Sequence, residues 1–311
     1  MNLRIGTSGW SYPKGAGTWN GIFYPRGRKV DQLAFYAEHF DTVEVNSTFY
    51  RIPQASVCRS WVRRTRPSFE FSLKLYQKFT HPQMFRKATG QQDATVRPAD
   101  VDEFRTAIEP VARAARLGAL LAQFPPSFRN TDESCDYLAR LLGAFRDYRV
   151  AVELRHRSWS DDLGRTLELL NGFSAAWAQI DEPKFRFSIR QNYLPNVTGF
   201  YYMRLHGRNA QKWWRHDTAD DRYDYLYSRD ELTPFAETAD AARRLVRKMY
   251  LYMNNHYSAK AVANAAMLRN QLGIPVPGEY PPEFIERYPE LAGIVTVSGR
   301  RPAQQPLVTP S

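Results

Sequence analysis

The 311-residue chain has only two cysteines, Cys58 and Cys135. Their spacing matches no metal or redox motif, so a disulfide-framed secreted fold is excluded and a reducing, cytoplasmic setting is expected. No uninterrupted apolar run reaches the roughly 18 residues a membrane span needs. Met1–Ile5 leads straight into a predicted strand, without the apolar core of a signal peptide. No membrane partner is therefore expected. Histidine is also sparse: His39, His81, His156, His206, His216 and His256 show no metal-ligand spacing. The expectation is no metal and no cofactor. No Pro/Gly/Ser-rich linker occurs before Pro275, which argues for one large domain over 1–274. Acidic residues are in deficit, with 32 Asp+Glu against 43 Lys+Arg and a net charge of +11. Such a surface favours anionic partners. The densest clusters, Arg26–Lys29 and Arg63–Arg66, read as solvated basic faces.

What the chain does have is periodicity. Apolar runs that stop at polar residues recur as predicted strands: Leu3–Ile5, Thr42–Val45, Phe69–Leu73, Ala119–Ala122, Val150–Leu154, Ala175–Ile180, Phe200–Leu205 and Met249–Met253. Amphipathic stretches such as Asp100–Arg116, Asp132–Phe145, Leu232–Arg247 and Ala259–Leu272 lie between them. Repeated strand–helix alternation predicts an α/β fold, a (β/α)8 TIM barrel. The segments Gly9–Lys29, Lys78–Pro98, Glu182–Thr198 and Gly207–Asp230 are long βα loops over the C-terminal mouth, where barrels place their chemistry. Residues 275–311 form a Pro-rich C-terminal tail. It is expected to pack through Phe284, Ile285 and Leu291 and to be mobile over Ser298–Ser311.

Alternation along a strand puts residues two apart on one face. Glu44 and Asn46, Glu153 and Arg155, and Arg204 and His206 pair this way at strand ends, beside Lys74 and Gln123. Charges there belong in the mouth rather than under the helices, and burial requires them to pair. The candidate catalytic set is Glu44, Glu153, His206, Lys74, Arg155 and Arg204. Glu153 or Glu44 would act as base, His206 as acid or base, and the cations as charge stabilisers. Three fixed cations in the same mouth speak against a metal. The bland alternative is a set of ion pairs closing the barrel's top layer. Candidate binding residues are Trp10, Tyr12, Asn46, Tyr50, Gln123, Asp181, Arg208, Asn209, Asn254 and Asn255. Arg208, Asn254 and Asn255 follow the last two strands, where barrels often hold phosphate, although the asparagines also suit helix caps.

Several motifs resemble one known family. They are Ile5-Gly6-Thr7-Ser8-Gly9-Trp10-Ser11-Tyr12, Phe23-Tyr24-Pro25, Val43-Glu44-Val45-Asn46-Ser47-Thr48-Phe49-Tyr50, Phe71-Ser72-Leu73-Lys74 and Thr80-His81. Gln123-Phe124-Pro125-Pro126, Val152-Glu153-Leu154-Arg155-His156, Arg204-Leu205-His206-Gly207-Arg208-Asn209, Tyr223-Asp224-Tyr225-Leu226-Tyr227 and Asn254-Asn255-His256 continue the series. Together they resemble the YecE-like family, labelled domain of unknown function 72, over Leu3–Leu272. The resemblance implies a TIM-type barrel and assigns no reaction. Three functions stay open. The leading one is a barrel enzyme acting by acid/base chemistry on a small anionic substrate, a phosphorylated sugar or nucleotide-derived metabolite. The others are a nucleic-acid-binding barrel, such as a metal-dependent nuclease resembling abasic-site endonucleases, and a non-catalytic ligand-binding protein. Oligomeric state is not legible.

Overall fold

A computed structural model describes residues 2–27, 30–215, 217–218 and 220–299. The apolar runs form β1 (Leu3–Thr7), β2 (Thr42–Val45), β3 (Glu70–Lys74), β4 (Leu117–Gln123), β5 (Val150–Glu153), β6 (Ala176–Trp177), β7 (Gln179–Asp181), β8 (Tyr201–Leu205) and β9 (Met249–Met253). β6 and β7 are halves of the sixth predicted strand. They are interrupted at Ala178, whose N–H still donates to Val152 O at 2.9 Å. Parallel pairing gives the orders β2-β3-β4-β5-β6 and β7-β8-β9-β1. The ring closes where Ser8 bridges Glu44 and the Gly9 N–H donates to Glu44 O at 2.7 Å. The fold is a (β/α)8 barrel of the TIM type.

The β1–β2 seam is narrow because Gly6 lacks a side chain: a Cβ there would overlap the Thr42 carbonyl. Tyr36 then reaches in from its helix (Gln32–His39). Its hydroxyl accepts from Thr7 N at 2.9 Å and donates to Thr42 O at 3.1 Å, satisfying groups that strand pairing leaves open.

Alternation sorts the side chains into two cores. The residues between sheet and helices form the larger one. The barrel interior holds Ala119, Leu121, Ala151, Ala176 and Ala178 facing Tyr202, Tyr250 and Tyr252. Small residues on β4–β6 make room for tyrosines from β8 and β9. The Tyr252 hydroxyl bonds Thr42 Oγ1 at 2.7 Å and Ser72 Oγ at 2.9 Å, so this middle layer is packed and hydrogen-bonded.

Helix starts follow their side chains. Asp31 accepts from Leu33 N and Ala34 N, and Ser228 with Glu231 forms a capping box at Arg229–Ala242. The last barrel helix, Lys260–Gln271, is buried from Ala261 to Arg269. An all-round buried helix needs a cover on both sides, and the tail supplies one. β10 (Glu279–Tyr280) pairs with β11 (Thr296–Val297), and Tyr280, Phe284, Tyr288 and Leu291 are buried. The Tyr288 hydroxyl donates to Ser258 O. Residues 300–311, most of the stretch expected to be mobile, lie outside the described residues, as do Arg28 and Lys29 of the first basic cluster. Among the described residues no helix is long and apolar enough to cross a membrane.

Candidate active site

Arg204 organises the mouth. It comes from β8, two residues beyond Tyr202 of the barrel interior, and is 1% exposed. Its guanidinium is bidentate to Glu44, with Nε to Oε2 at 2.9 Å and Nη2 to Oε1 at 2.7 Å, and Nη1 bonds Glu153 Oε2. Ser8 Oγ and the Tyr202 hydroxyl donate to the two Glu44 oxygens at 2.7 Å each. Arg155 Nε donates to Glu153 Oε1 at 2.7 Å. Burial alone would raise the Glu153 carboxyl, but the charges of Arg204 and Arg155, with His206, outweigh it and hold the group well below the usual range.

His206 is fully buried beside this pair. Its Nε2 lies 3.5 Å from Glu153 Oε1 and 3.3 Å from Arg155 Nη2, and Asn254 Nδ2 meets Nδ1 at 2.8 Å. Burial lowers its pKa to about 3, opposed by Glu153 and reinforced by Arg204. The ring is neutral at physiological pH. With its proton on Nε2 it faces Glu153 Oε1 as a donor and accepts from Asn254 Nδ2 at Nδ1, and Arg155 Nη2 is then not a hydrogen-bond partner of the ring.

Lys74 stands apart. It ends β3 on the same face as Ser72, and its Nζ lies 4.0 Å over the Phe49 ring. Among the described residues no hydrogen-bond or ion-pair partner reaches that amine. The other well-packed lysines all find one: Lys78 reaches Asp100 at 2.7 Å, Lys248 reaches Glu70 at 2.5 Å, and Lys260 reaches Asp224. Burial, then the charge of Arg204 and that of Arg155, pull the Lys74 ammonium down to about 7 against the attraction of Glu153 and Glu44.

Two groups that sequence reasoning missed complete the mouth. Glu182, immediately after β7, is 5% exposed. Its Oε2 lies 3.4 Å from Arg155 Nη1 yet has no hydrogen-bond partner. Burial raises this carboxyl above its usual value, with Arg155 opposing. His81 is buried with Nδ1 on Thr80 Oγ1 at 2.9 Å and its ring edge-on to Phe49. Burial and then Lys74 lower it to about 3. Alternation could have found Glu182, because Ala176, Ala178, Ile180 and Glu182 share a parity. His81 sits in a loop and has no periodic signal.

The structure brings Glu44, Lys74, Glu153, Arg155, Arg204, His206 and Asn254 together. Gln123 joins them by register, opposite Glu153, with its amide free of side-chain hydrogen bonds among the described residues. Asn46 follows β2 with Oδ1 buried and unpartnered. Other expected binding residues are spent elsewhere. Asp181 has the opposite parity and turns outward, accepting from Arg208 Nε at 2.8 Å and Tyr227 OH at 2.7 Å. Arg208 is thereby neutralised and does not form an anion site with the asparagines. Asn255 Nδ2 donates to Tyr225 O and Asn264 Oδ1, and Asn209 Nδ2 to Asp221 O and Asp224 O; both amides brace loops, while Asn255 Oδ1, like Asn46 Oδ1, is buried and unpartnered. Trp10 packs edge-on against Trp61, and Tyr12 stacks on His256 at 4.2 Å. Tyr50 alone of the expected aromatics is open, at 65% exposure. Among the described residues no group of three or more His, Cys, Asp or Glu side chains could hold a metal ion.

Comparison with known proteins matches this geometry to a family. The model for "Protein of unknown function DUF72" matches residues 4–284. UPF0759 protein YunF of Bacillus subtilis is 27% identical over 290 residues, spanning 90% of this chain and 98% of the relative. UPF0759 protein YecE of Escherichia coli K12 is 31% identical over 158 residues, about half of each chain. Among solved structures, a DUF72 family protein from Thermotoga maritima superposes with a TM-score of 0.76 at 32% identity, covering 88% of this chain and all of that one. One from Enterococcus faecalis superposes at 0.75 with 23% identity, covering 88% and 96%. The chain belongs to the DUF72 family, whose members are described as proteins of unknown function.

Proposed function

We propose that the protein is an enzyme that moves a proton on a small anionic substrate held in the barrel mouth. One observation carries the reading: Lys74, at the mouth, is a packed amine with no acidic partner among the described residues. A cation kept out of ion pairs costs stability, and its pKa of about 7 suits proton transfer near neutral pH. Arg155, whose Nη1 makes no close hydrogen bond, receives the substrate's anionic group. Lys74 and Glu182 exchange the proton. Glu44 and Glu153, surrounded by donors, hold Arg204 and Arg155 in place rather than act as bases. His206, fixed by Asn254, keeps Glu153 and Arg155 in register. Turnover found in a panel of phosphorylated and carboxylated metabolites, abolished by Lys74→Met and Glu182→Gln but retained in Arg208→Met, supports this reading. Equal turnover in Lys74→Met overturns it.

A second reading has its own observation. Phe185, Phe187 and Trp214 cluster on the rim with centroids 5.7–6.0 Å apart, and Trp214 is 55% exposed. Exposed Lys184, Arg186, Arg190 and Arg215 flank them. Aromatic faces among cations suit single-stranded nucleic acid. Oligonucleotide affinity that falls steeply with salt and is lost in Trp214→Ala would favour this reading. Weak binding unaffected by that change would remove it.

A further inference from the structure

We infer that Lys74 forms an imine with the carbonyl carbon of a small oxo-acid, an aldehyde or ketone that carries a carboxylate or phosphate. This rests on the proposal that the mouth holds a small anion, and adds covalent chemistry to it. The geometry points to a nucleophile for three reasons. First, the amine is carried on the end of a barrel strand, not on a loop, so its approach is fixed. Second, every other packed lysine described above is tied to a carboxylate, whereas among the described residues the Lys74 Nζ meets the Phe49 ring and no carboxylate. A lysine packed without a counter-ion beside cationic groups is the arrangement that frees an amine for attack on carbonyls. Third, the same layer holds polar atoms that have no hydrogen bond among the described residues. Glu182 Oε2 has only its 3.4 Å ion pair with Arg155, Asn46 Oδ1 is buried and unpartnered, and the Gln123 amide makes no side-chain hydrogen bond.

These groups match what imine formation needs. The Nζ lone pair attacks the carbonyl carbon. The C=O π pair moves to oxygen, which takes a proton from the Glu182 carboxyl, whose hold on its proton burial strengthens. The new ammonium returns a proton to Glu182, giving a neutral carbinolamine. Glu182 then protonates the hydroxyl, which leaves as water while the nitrogen lone pair forms C=N. Amine, carbonyl and the Glu182 carboxyl become iminium, water and the Glu182 carboxylate, with no oxidant or reductant. The substrate's anionic group lies on Arg155 and supplies a counter-charge for the positive nitrogen.

The test is reductive trapping of the full chain at about pH 7.5, where an amine of ordinary pKa is almost wholly protonated. Glyoxylate, pyruvate and glycolaldehyde phosphate are each supplied with cyanoborohydride, and adducts are read by intact mass and peptide mapping. The expected result is one adduct per chain on Lys74, formed roughly tenfold or more faster than on the exposed Lys87. Lys74→Arg, which keeps the charge and removes the nucleophile, should stay folded and give no such adduct. Absence of a Lys74 adduct with all three probes, or labelling no faster than Lys87, overturns the imine. The anion reading is scored separately by the thermal midpoint without reductant. A rise with pyruvate or phosphate that is lost in Arg155→Met keeps the anion site even if trapping fails. No rise and no adduct removes both.

Discussion

The barrel carries a charged network at each end, and only one of them is closed. At the N-terminal end Arg4 reaches Asp41 at 2.8 Å and Glu70 at 2.9 Å, Lys248 meets Glu70 at 2.5 Å, Tyr250 donates to Glu70 at 2.7 Å, and Arg269 meets Asp41 at 3.0 Å. Burial alone would raise the Glu70 carboxyl, but bonds from Lys248 and Tyr250 and the charge of Arg4 hold it below the usual range. Each charged head group there has an opposite partner. At the C-terminal end Arg204, Glu44 and Glu153 form an equally complete core, deeper still, yet among the described residues the Lys74 amine has no carboxylate partner and Glu182 has only its 3.4 Å ion pair with Arg155. Ion pairs at strand ends are therefore not in themselves a site. The amine that the network leaves unpaired is what separates the mouth from the floor.

The contrast can be broken by substitution. The largest effect is expected at Arg204→Met, which strands Glu44 and Glu153 as buried charges. Urea denaturation should show a loss on the order of 3–5 kcal/mol, and a loss below 1 kcal/mol, roughly that of an exposed pair, would mean the core is not an ionic one. Lys74→Met should have the opposite sign. The folded pKa of Lys74 is lowered, so its ammonium opposes folding most below pH 7 and progressively less as pH rises toward the unfolded value of 10.5. The variant should gain at least about 1 kcal/mol at pH 6, shrinking toward zero by pH 10. A gain that does not depend on pH would point to packing instead.

His206 tests the acid limb. Its folded pKa is about 3 against an ordinary 6.5, so protonation favours the unfolded chain and stability falls as pH drops from 6.5 toward 3. His206→Gln should flatten that part of the profile, as measured by the thermal midpoint across buffers. Lys248→Met, on the partly exposed floor, should cost only about 1 kcal/mol and leave the response to anions intact. If it abolished that response, the two ends would not be separable.

Much of this was legible because barrels write themselves in period two and period 3.6. The strand runs appear where the apolar alternation puts them, and Glu44, Glu153, Arg155, Arg204 and His206 converge because each sits at a strand end with inward parity. Asp181 shows where proximity to a strand end misleads: it lies one residue out of phase, so it faces Tyr227 while Glu182 faces Arg155. Asn209 and Asn255 look the same in sequence whether they brace a loop or bind a ligand, because both uses take the same amide chemistry. Only the positions of Asp221, Tyr225 and Asn264 decide between them. His81 was unreadable for want of any period. Nor could pairing be read from sequence. Lys74 and Lys248 look alike as residues beside apolar strands, and only the fold gives one of them a carboxylate.

The most direct measurement is the titration of Lys74 itself, followed by NMR of ¹³C-methylated lysine amines with Lys74→Arg to assign the resonance. The account predicts a midpoint near 7, displaced upward when phosphate or pyruvate is added, because a bound anion supplies the counter-charge that the fold withholds. An ordinary midpoint above about 10, unmoved by either anion, would show that Lys74 is an ordinary solvated cation and would contradict the reading of the mouth as a site.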